Sequence, residues 1–205
     1  MVTIGIVAFQ GGFYEHYAML LRAFTETSIE GEVKLVKKKK DLEGLDGIII
    51  PGGESTTIGK IAHKTKILYD IKEAIESGKP TLATCAGAIM LAKKVRDAKV
   101  PEFSQPLLGV MDIGVVRNYF GRQRESFELD LHIEGMDEAP YRGIFIRAPA
   151  IVDVWGGARA ISKIAYNKEE IIVFASQGSI LATTFHPELT GDARIHKRFI
   201  SLVKR

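Results

Sequence analysis

The single cysteine of the chain, Cys85, lies where a short apolar strand is expected to turn into a helix. Residues 79–91 predict a strand, a tight turn at residues 84–87 and the start of a helix. The free N–H groups at a helix N-terminus stabilise a thiolate, and the thiolate is the nucleophilic form of cysteine. A small buried apolar side chain is the competing interpretation, and the turn alone does not decide between the two.

A histidine and a carboxylate follow another apolar run near the end of the chain. His186, Pro187 and Glu188 come directly after residues 180–185, which read as a core strand. An imidazole beside a thiol can accept its proton and later protonate a leaving amine, while a carboxylate holds the imidazole in place. A hydrogen-bonded structural histidine is the competing interpretation. The other histidines lack this setting, and they are His16, His63, His132 and His196.

A glycine-rich loop offers a third part for such a site. Gly52 and Gly53 follow the apolar run at residues 46–50. Backbone N–H groups in such a loop can turn toward a ligand, as an oxyanion hole requires, and one such donor contributes about 3 kcal/mol in the transition state. A phosphate-binding loop is disfavoured, because the Gly-x-x-x-x-Gly-Lys-Ser/Thr pattern is missing and the anionic Glu54 follows directly.

These residues need a scaffold, and the first half of the chain predicts one by alternating strands and helices. The alternation continues to about residue 95 and predicts a doubly wound, mainly parallel α/β sheet flanked by helices. Ligand sites in such sheets lie at the carboxyl ends of the strands, where the glycine loop and Cys85 both fall. Ser55 or Thr56 is expected to cap the helix after the loop. The expected elements are strands at residues 2–8, 32–37 and 46–50, and helices at residues 13–24 and 67–76.

The second half of the chain has a different pattern, with strands separated by Gly, Pro or charged turns. We expect antiparallel hairpins there, with Gln177 and Gly178 as one two-residue turn. The expected strands are at residues 108–117, 127–133, 143–147, 160–166, 171–176 and 179–185. A final helix is expected at residues 192–203, and its basic residues, expected to form a solvated face, are Arg194, Lys197, Arg198 and Lys204.

Composition limits the class of protein. With 205 residues and 22.6 kDa, the chain is expected to form a single domain over residues 1–205. Its net charge of +3, from 28 basic and 25 acidic residues, is too even to indicate nucleic-acid binding. The lysine run at residues 37–40 is expected to be a solvated loop. No apolar run is long enough to span a membrane, and a lone cysteine excludes an intramolecular disulfide, so we expect a cytoplasmic protein. We also expect neither a metal nor a cofactor.

Together, and in this order, the motifs resemble the class I (Cys-His-Glu) glutamine amidotransferase family. Within it, the chain resembles the glutaminase subunits of pyridoxal 5′-phosphate synthases. The resemblance covers essentially the whole chain, although Ala83 stands where many members have glycine and Tyr119 occupies a variable position. Its blocks are residues 5–11 (GIVAFQG), 51–57 (PGGESTT), 84–87 (TCAG), 117–123 (RNYFGRQ), 126–128 (SFE), 145–149 (FIRAP) and 185–190 (FHPELT).

The resemblance implies a role for each part of the site. Cys85 would be the nucleophile, His186 the general base and acid, and Glu188 the carboxylate that orients the imidazole. An arginine can hold the α-carboxylate of glutamine, and a nearby acid can pair with its α-ammonium group. The implied glutamine-binding residues are Gly53, Glu54, Ser55, Arg117, Ile146 and Arg147.

The implied reaction is hydrolysis of L-glutamine to L-glutamate and ammonia. The resemblance implies that a partner, a (β/α)₈ synthase subunit, receives the ammonia and builds pyridoxal 5′-phosphate from a pentose phosphate and glyceraldehyde 3-phosphate. Gln10, at the end of the first strand, is a candidate for coupling the docking of that partner to the oxyanion loop. The expected assembly is a hetero-oligomer without nucleic acid or membrane.

Three alternatives stay in view. A glutaminase subunit of another amidotransferase, such as one serving histidine biosynthesis, would share the nucleophile, base and carboxylate but not the block at residues 117–123. A related cysteine-dependent hydrolase or chaperone usually lacks the His-x-Glu pair. A non-catalytic binding or regulatory subunit would not need all three groups intact.

Overall fold

The computed structural model describes residues 1–121, 126–136 and 139–204, whose strands form one large mixed sheet and one separate hairpin. Residues 122 and 123 of the block at residues 117–123 lie outside the described part of the chain. The first half alternates strands and helices as expected. Its elements are β1 (Val2–Val7), α1 (Phe13–Thr27), β2 (Gly31–Val36), β3 (Gly47–Ile50), α2 (Ser55–Lys64), α3 (Ile67–Glu76), β4 (Thr81–Thr84) and α4 (Ala86–Leu91), with a 3₁₀ helix at Lys39–Leu42.

The second half consists mainly of strands. They are β5 (Ala92–Asp97), β6 (Met111–Arg117), β7 (Ser126–Leu131), β8 (Tyr141–Ile146), β9 (Ala150–Val154), β10 (Arg159–Tyr166), β11 (Glu169–Gln177) and β12 (Ile180–Thr183), followed by a 3₁₀ helix at Pro187–Leu189 and by α5 (Arg194–Val203). The predicted fold class, a mainly parallel sheet flanked by helices with antiparallel hairpins in the C-terminal half, is confirmed.

The order of strands in the large sheet is β2-β1-β3-β4-β12-β11-β9-β6-β5, with β10 paired to β11. Strands β2, β1, β3, β4 and β12 run parallel to one another, whereas β11 is antiparallel to β12. The last strand of the chain therefore lies beside β4. Thr183 pairs with Thr84, so the carboxyl ends of the two strands are level.

Both faces of the sheet are covered by apolar side chains. Helices α2, α3 and α4 pack on one face, and α1, α5 and the β7–β8 hairpin pack on the other. All residues of the short strands β3, β4 and β12 are buried. This burial explains why threonine is the only polar residue type in these strands. The sheet thus forms a rigid base for the residues at its carboxyl edge.

Several sequence-based details were wrong. The helix after the glycine loop is not capped by Ser55 or Thr56, because α2 begins at Ser55 and the Glu54 carboxylate accepts the N–H groups of Thr56 and Thr57. The turn between β11 and β12 is also one residue later than predicted, since Gln177 still pairs with Ile180.

Two strands were not predicted. Strand β5 starts directly after α4, and β9 lies between the strands predicted at residues 143–147 and 160–166. Strand β5 pairs with β6, and β9 pairs with β6 and β11. The pairings of β6 with β5 and with β9 each contain a register shift. Pairings of this kind are set by the tertiary structure rather than by local sequence.

The basic residues of α5 do not form a simple solvated face. The Arg194 guanidinium donates to the carbonyls of Ala139 and Pro140, and Arg198 Nη1 donates to the carbonyl of Glu134. These carbonyls belong to the segment between β7 and β8. The guanidinium groups of Arg194 and Arg198 thus donate to backbone carbonyls. The prediction of a solvated face was therefore wrong for these two residues.

Candidate active site

Cys85 lies on a sharp turn between β4 and α4. Its backbone has φ 48° and ψ −103°, a conformation that residues other than glycine rarely adopt. Conformations of this kind cost on the order of 1–3 kcal/mol. The backbone N–H of Cys85 donates to the carbonyl of Thr183 at 2.8 Å, which ties the turn to the neighbouring β12. The thiol is nearly buried, with 6% of the residue exposed. The strand, turn and helix predicted around Cys85 are all present.

His186 and Glu188 lie on the next strand end. The backbone N–H of His186 donates to the Ile144 carbonyl at 2.8 Å, so β8 fixes the chain as it leaves β12. Pro187 then starts the 3₁₀ helix that holds Glu188. The Nδ1 atom of His186 lies 2.7 Å from Glu188 Oε1, and the Glu188 side chain is almost fully buried.

The charges of these groups depend on one another. Burial by itself lowers the pKa of His186, but hydrogen bonds and charges of Cys85 and Glu188 outweigh it and raise the pKa to about 10. Burial alone raises the pKa of Glu188, whereas His16 and His186 beside it bring the pKa below its ordinary value. The arrangement therefore favours an imidazolium between the Cys85 sulfur and the Glu188 carboxylate.

The glycine loop lies against this pair. A Cβ atom on Gly52 would be 2.4 Å from His186 Cε1 and 3.4 Å from Cys85 Cβ, so only glycine fits there without displacing the imidazole. The Gly52 carbonyl accepts the Gly12 N–H at 3.1 Å. Because the peptide is trans, the N–H of Gly53 points to the opposite side from that bond.

Two of the predicted glutamine-binding residues form a charge pair. Arg117, the last residue of β6, places Nη2 3.2 Å from Glu54 Oε1. Burial alone raises the pKa of Glu54, but hydrogen bonds from Thr57 and Thr56 outweigh it and lower the pKa. An anion and a cation therefore lie side by side at the start of α2.

Arg117 is held by residues that the sequence did not single out. Its guanidinium lies 4.2 Å from the centre of the Phe103 ring, and Nη1 is 3.7 Å from Asp97 Oδ2. Asp97 also accepts the Nδ2–H of Asn118 at 2.8 Å. Asp97 ends β5, the strand that local sequence did not predict, so no signal was available to find it.

The other predicted contacts are placed differently. Ser55 is buried, and its hydroxyl donates a hydrogen bond to Gln105 Oε1 at 3.0 Å. The Ser55 side chain therefore binds the loop that precedes β6. Ile146 ends β8, whose Ile144 carbonyl holds His186, and its side chain is partly exposed. Arg147 follows with φ 45°, which turns the chain sharply at this edge.

Two histidines that were set aside lie directly behind Glu188. His16 of α1 and His196 of α5 are fully buried, and His16 Nε2 lies 3.4 Å from Glu188 Oε2. The available signal was weak. Each histidine falls on the apolar face of an amphipathic helix, and such positions usually hold ordinary core residues.

Within residues 1–121, 126–136 and 139–204, no cluster of His, Cys, Asp and Glu side chains has the arrangement of a metal site. In the same part of the chain, no helix combines the length and apolar composition needed to cross a membrane.

An α/β sheet with a cysteine at a strand-to-helix turn and a His-x-Glu pair on the adjacent strand end is typical of class I glutamine amidotransferases. Comparison with known proteins gives the same class. The model of the SNO glutamine amidotransferase family matches residues 6–205. The chain belongs to this family, and the prediction that it is a glutamine amidotransferase, a glutamine-hydrolysing enzyme, is confirmed.

Two curated relatives each match at least 98% of the chain, and each is named pyridoxal 5′-phosphate synthase subunit PdxT. The protein from Staphylothermus marinus is 56% identical over 202 residues, 98% of each chain. The protein from Aeropyrum pernix is 57% identical over 204 residues and is covered completely, as is this chain. The predicted resemblance to glutaminase subunits of pyridoxal 5′-phosphate synthases is confirmed.

Solved structures agree with the fold. A crystal structure of a glutamine amidotransferase matches with a TM-score of 0.83 and 43% identity, covering 98% of this chain and 99% of that chain. A glutamine amidotransferase from Thermotoga maritima matches with a TM-score of 0.61 and 19% identity, covering 99% of this chain and 82% of that chain. The second match bears on the fold alone.

Proposed function

We propose that this protein is the glutaminase subunit of a pyridoxal 5′-phosphate synthase, which hydrolyses L-glutamine at Cys85 and passes the ammonia to a synthase subunit. The observation that carries the proposal is the placement of Cys85 and His186 on level ends of β4 and β12, with Glu188 behind the imidazole. The names of the full-length relatives support the choice of synthase.

The first half of the reaction forms a thioester. The Cys85 thiolate attacks the side-chain amide carbon of glutamine, and the amide oxygen becomes an oxyanion. The His186 imidazolium protonates the leaving nitrogen, ammonia departs and a γ-glutamyl thioester remains. Glu188 keeps the imidazole oriented and stabilises its positive charge during both proton transfers.

The second half returns the enzyme to its starting state. Neutral His186 accepts a proton from water, and the hydroxide attacks the thioester carbon. The C–S bond breaks, glutamate leaves and Cys85 is again a thiolate beside an imidazolium. Every proton passes through His186, and no cofactor or metal takes part.

Glu54 and Arg117 fit the charged end of the substrate. A free amino acid carries an α-carboxylate and an α-ammonium group on one carbon, and these match an adjacent arginine and glutamate. The proposed contacts also include Ser55, at the start of α2, and the backbone of Ile146 and Arg147. Paired charges of this kind select an amino acid over a simple amide.

The N–H of Gly53 is the proposed oxyanion donor. It lies on the opposite side of its peptide from the Gly52 carbonyl, which is bound to Gly12. Gln10 supports the same loop, because its Oε1 accepts the Glu54 N–H at 2.7 Å. We therefore assign Gln10 the role of linking partner docking to the position of the oxyanion loop.

Ammonia transfer explains the need for a partner. Free ammonia is largely protonated at neutral pH, and ammonium is not a nucleophile, so delivery to a docked (β/α)₈ synthase subunit preserves its reactivity. The proposal includes a hetero-oligomer of the two subunits in the cytoplasm. A glutaminase serving another pathway, such as histidine biosynthesis, is the competing assignment.

Glutamate release from glutamine tests the proposal, measured with and without a pyridoxal 5′-phosphate synthase subunit. We expect release that increases when the synthase subunit is added and that disappears in Cys85→Ala, while the circular dichroism of the variant is unchanged. Gln10→Ala is expected to lower the increase caused by the synthase subunit.

Release that ignores the synthase subunit would favour another pathway. Release that persists in Cys85→Ala would exclude Cys85 as the nucleophile. If wild-type protein released no glutamate under either condition, the non-catalytic alternative would replace the proposal.

A further inference from the structure

A buried polar cluster lies behind Glu188, on the side away from His186. It joins His16 of α1, Thr84 of β4 and His196 of α5, each fully buried. His16 Nε2 lies 3.1 Å from Thr84 Oγ1, and His16 Nδ1 lies 2.9 Å from His196 Nε2. We call His16 and His196 the buried histidine pair.

The two oxygens of Glu188 have different surroundings. Oε1 lies 2.7 Å from His186 Nδ1, as the proposed chemistry requires. Oε2 accepts no hydrogen bond from the described residues and faces His16 Nε2 at 3.4 Å. A buried carboxylate oxygen without a facing donor is costly, so the proton position on His16 matters for Glu188.

The contacts allow two proton arrangements in the buried histidine pair. In one, His16 carries its proton on Nε2 and accepts the Nε2–H of His196 at Nδ1. In the other, His16 carries its proton on Nδ1, and its Nε2 lone pair lies 3.1 Å from Thr84 Oγ1 and 3.4 Å from the Glu188 carboxylate. The second arrangement also leaves His196 Nδ1–H as a buried donor, although this atom has no partner among the described residues. Repulsion between lone pair and carboxylate favours the first arrangement.

We propose that His16 is a positioning residue of the glutaminase site: its Nε2–H, which lies 3.1 Å from Thr84 Oγ1 and 3.4 Å from Glu188 Oε2, keeps the carboxylate directed at His186. His196 fixes the tautomer of His16 by donating to Nδ1. The inference rests on the proposed glutaminase function and extends it from the nucleophile, base and carboxylate to α1 and α5.

A neutral His16 suits this role. Burial lowers the pKa of His16, although Glu188 acts in the opposite direction, and burial lowers the pKa of His196 well below its ordinary value. A neutral donor supports Glu188 without adding a positive charge that would compete with His186. The titratable groups facing Glu188 and His16 are Glu15 of α1, Tyr141 of β8, His186 and His196.

The test compares two substitutions at His16 in the complex with the synthase subunit. His16→Leu removes the donor and keeps an apolar side chain, whereas His16→Gln restores an N–H near the position of Nε2. We expect His16→Leu to lower kcat about tenfold with little change in the KM for glutamine, because the substrate does not contact His16. The acid limb of its pH–kcat profile moves to higher pH, since Glu188 protonates more easily without the donor.

His16→Gln is expected to recover most of kcat and to return the acid limb toward its wild-type position. His63→Leu is the matched control, because His63 is exposed on α2, away from the site, and its loss leaves the profile unchanged. A drop in kcat without a shift of the acid limb, or without recovery in His16→Gln, would show a purely structural role and overturn the inference.

A second measurement does not depend on the folding of a variant. NMR of wild-type protein with ¹⁵N-labelled histidine reports the tautomer of each ring. We expect a neutral His16 with its proton on Nε2. A proton on Nδ1, or an imidazolium, contradicts the inference even if glutamine hydrolysis is intact, whereas an inactive wild-type complex with the expected tautomer contradicts only the proposed function.

Discussion

The proposed chemistry depends on one chain of side chains, in which His186 lies between the Cys85 thiol and the Glu188 carboxylate. Burial on its own would lower the pKa of His186 and favour the neutral imidazole, but Cys85 and Glu188 raise the pKa by more than burial lowers it. The stabilised form is the protonated one, so it is present below a pH of about 10 and is lost as pH rises through that value. Above it, His186 no longer has a proton for the leaving ammonia.

This charge balance predicts a shift of the alkaline limb in Glu188→Gln. The amide keeps the size of the side chain but not its charge, so the pKa of His186 falls from about 10 and the alkaline limb of the pH profile for kcat/KM moves to lower pH. Glutamate release across the pH range measures the shift. An alkaline limb at the same pH in wild type and Glu188→Gln would show that Glu188 does not act on His186.

At the scale of residues, the sequence located the proposed nucleophile and the His-x-Glu pair because each follows an apolar strand directly. It did not find His16, His196 or Asp97. Their roles come from contacts between elements that are distant in sequence, such as α1 with α5. A histidine on the apolar face of a helix carries no local sign of the carboxylate that faces it.

Helix α4 shows how closely the elements around the site must approach. A Cβ atom on Gly87 would lie 2.2 Å from the Ile50 carbonyl oxygen, at the end of β3. The contact is with backbone rather than with a flexible side chain, so α4 would have to move. Because Cys85 immediately precedes α4, the position of the Cys85 thiol depends on this glycine.

We therefore predict that Gly87→Ala lowers both stability and activity. Overpacking of this kind costs about 1–3 kcal/mol in the free energy of unfolding, and a shift of α4 misplaces the thiol. Urea unfolding and glutamate release measure the two effects. Gly191→Ala is the matched control, since a Cβ atom there has no neighbour within 4 Å. Equal stability and activity in both variants would contradict the close packing of α4 on β3.

At the scale of elements, strands and helices with clear periodicity were predicted to within a few residues. The glycine loop was predicted, but its cap was not, because Glu54 takes a role that usually falls to a shorter side chain. Strand β5 was missed because its pairing with β6 is set by the rest of the sheet.

In the whole molecule, the C-terminal segment completes the middle of the sheet. Strand β12 lies between β4 and β11, and α5 covers the same sheet as α1. Strand β12 thus joins the parallel strands to the antiparallel hairpins. The sequence alone does not specify this strand order. We propose that residues 1–205 form one domain, in which β12 joins the two halves of the sheet.

If the domain unfolds cooperatively, a destabilising substitution in α5 lowers the stability of the whole domain. Phe199 is fully buried and lies against Gly47 of β3, so Phe199→Ala is expected to cost about 3–5 kcal/mol in the free energy of unfolding. Fluorescence of Trp155, the single tryptophan, reports the antiparallel half, and far-UV circular dichroism reports the whole chain. We expect both transitions to move together.

Val100→Ala serves as the control, because this side chain is half exposed and its loss should change stability by less than about 0.5 kcal/mol. A Phe199→Ala variant whose fluorescence and circular dichroism transitions separate would show two independently unfolding parts and contradict a single domain.

Cys85 is tested as the nucleophile most directly by covalent labelling with an electrophilic analogue of glutamine, such as its chloroketone, in the presence of the synthase subunit. We expect peptide mass spectrometry to find the label on Cys85 of the wild-type chain, excess glutamine to slow labelling, and Cys85→Ala to remain unlabelled. Labelling of another residue, or none at Cys85 while the same sample releases glutamate, would contradict Cys85 as the nucleophile.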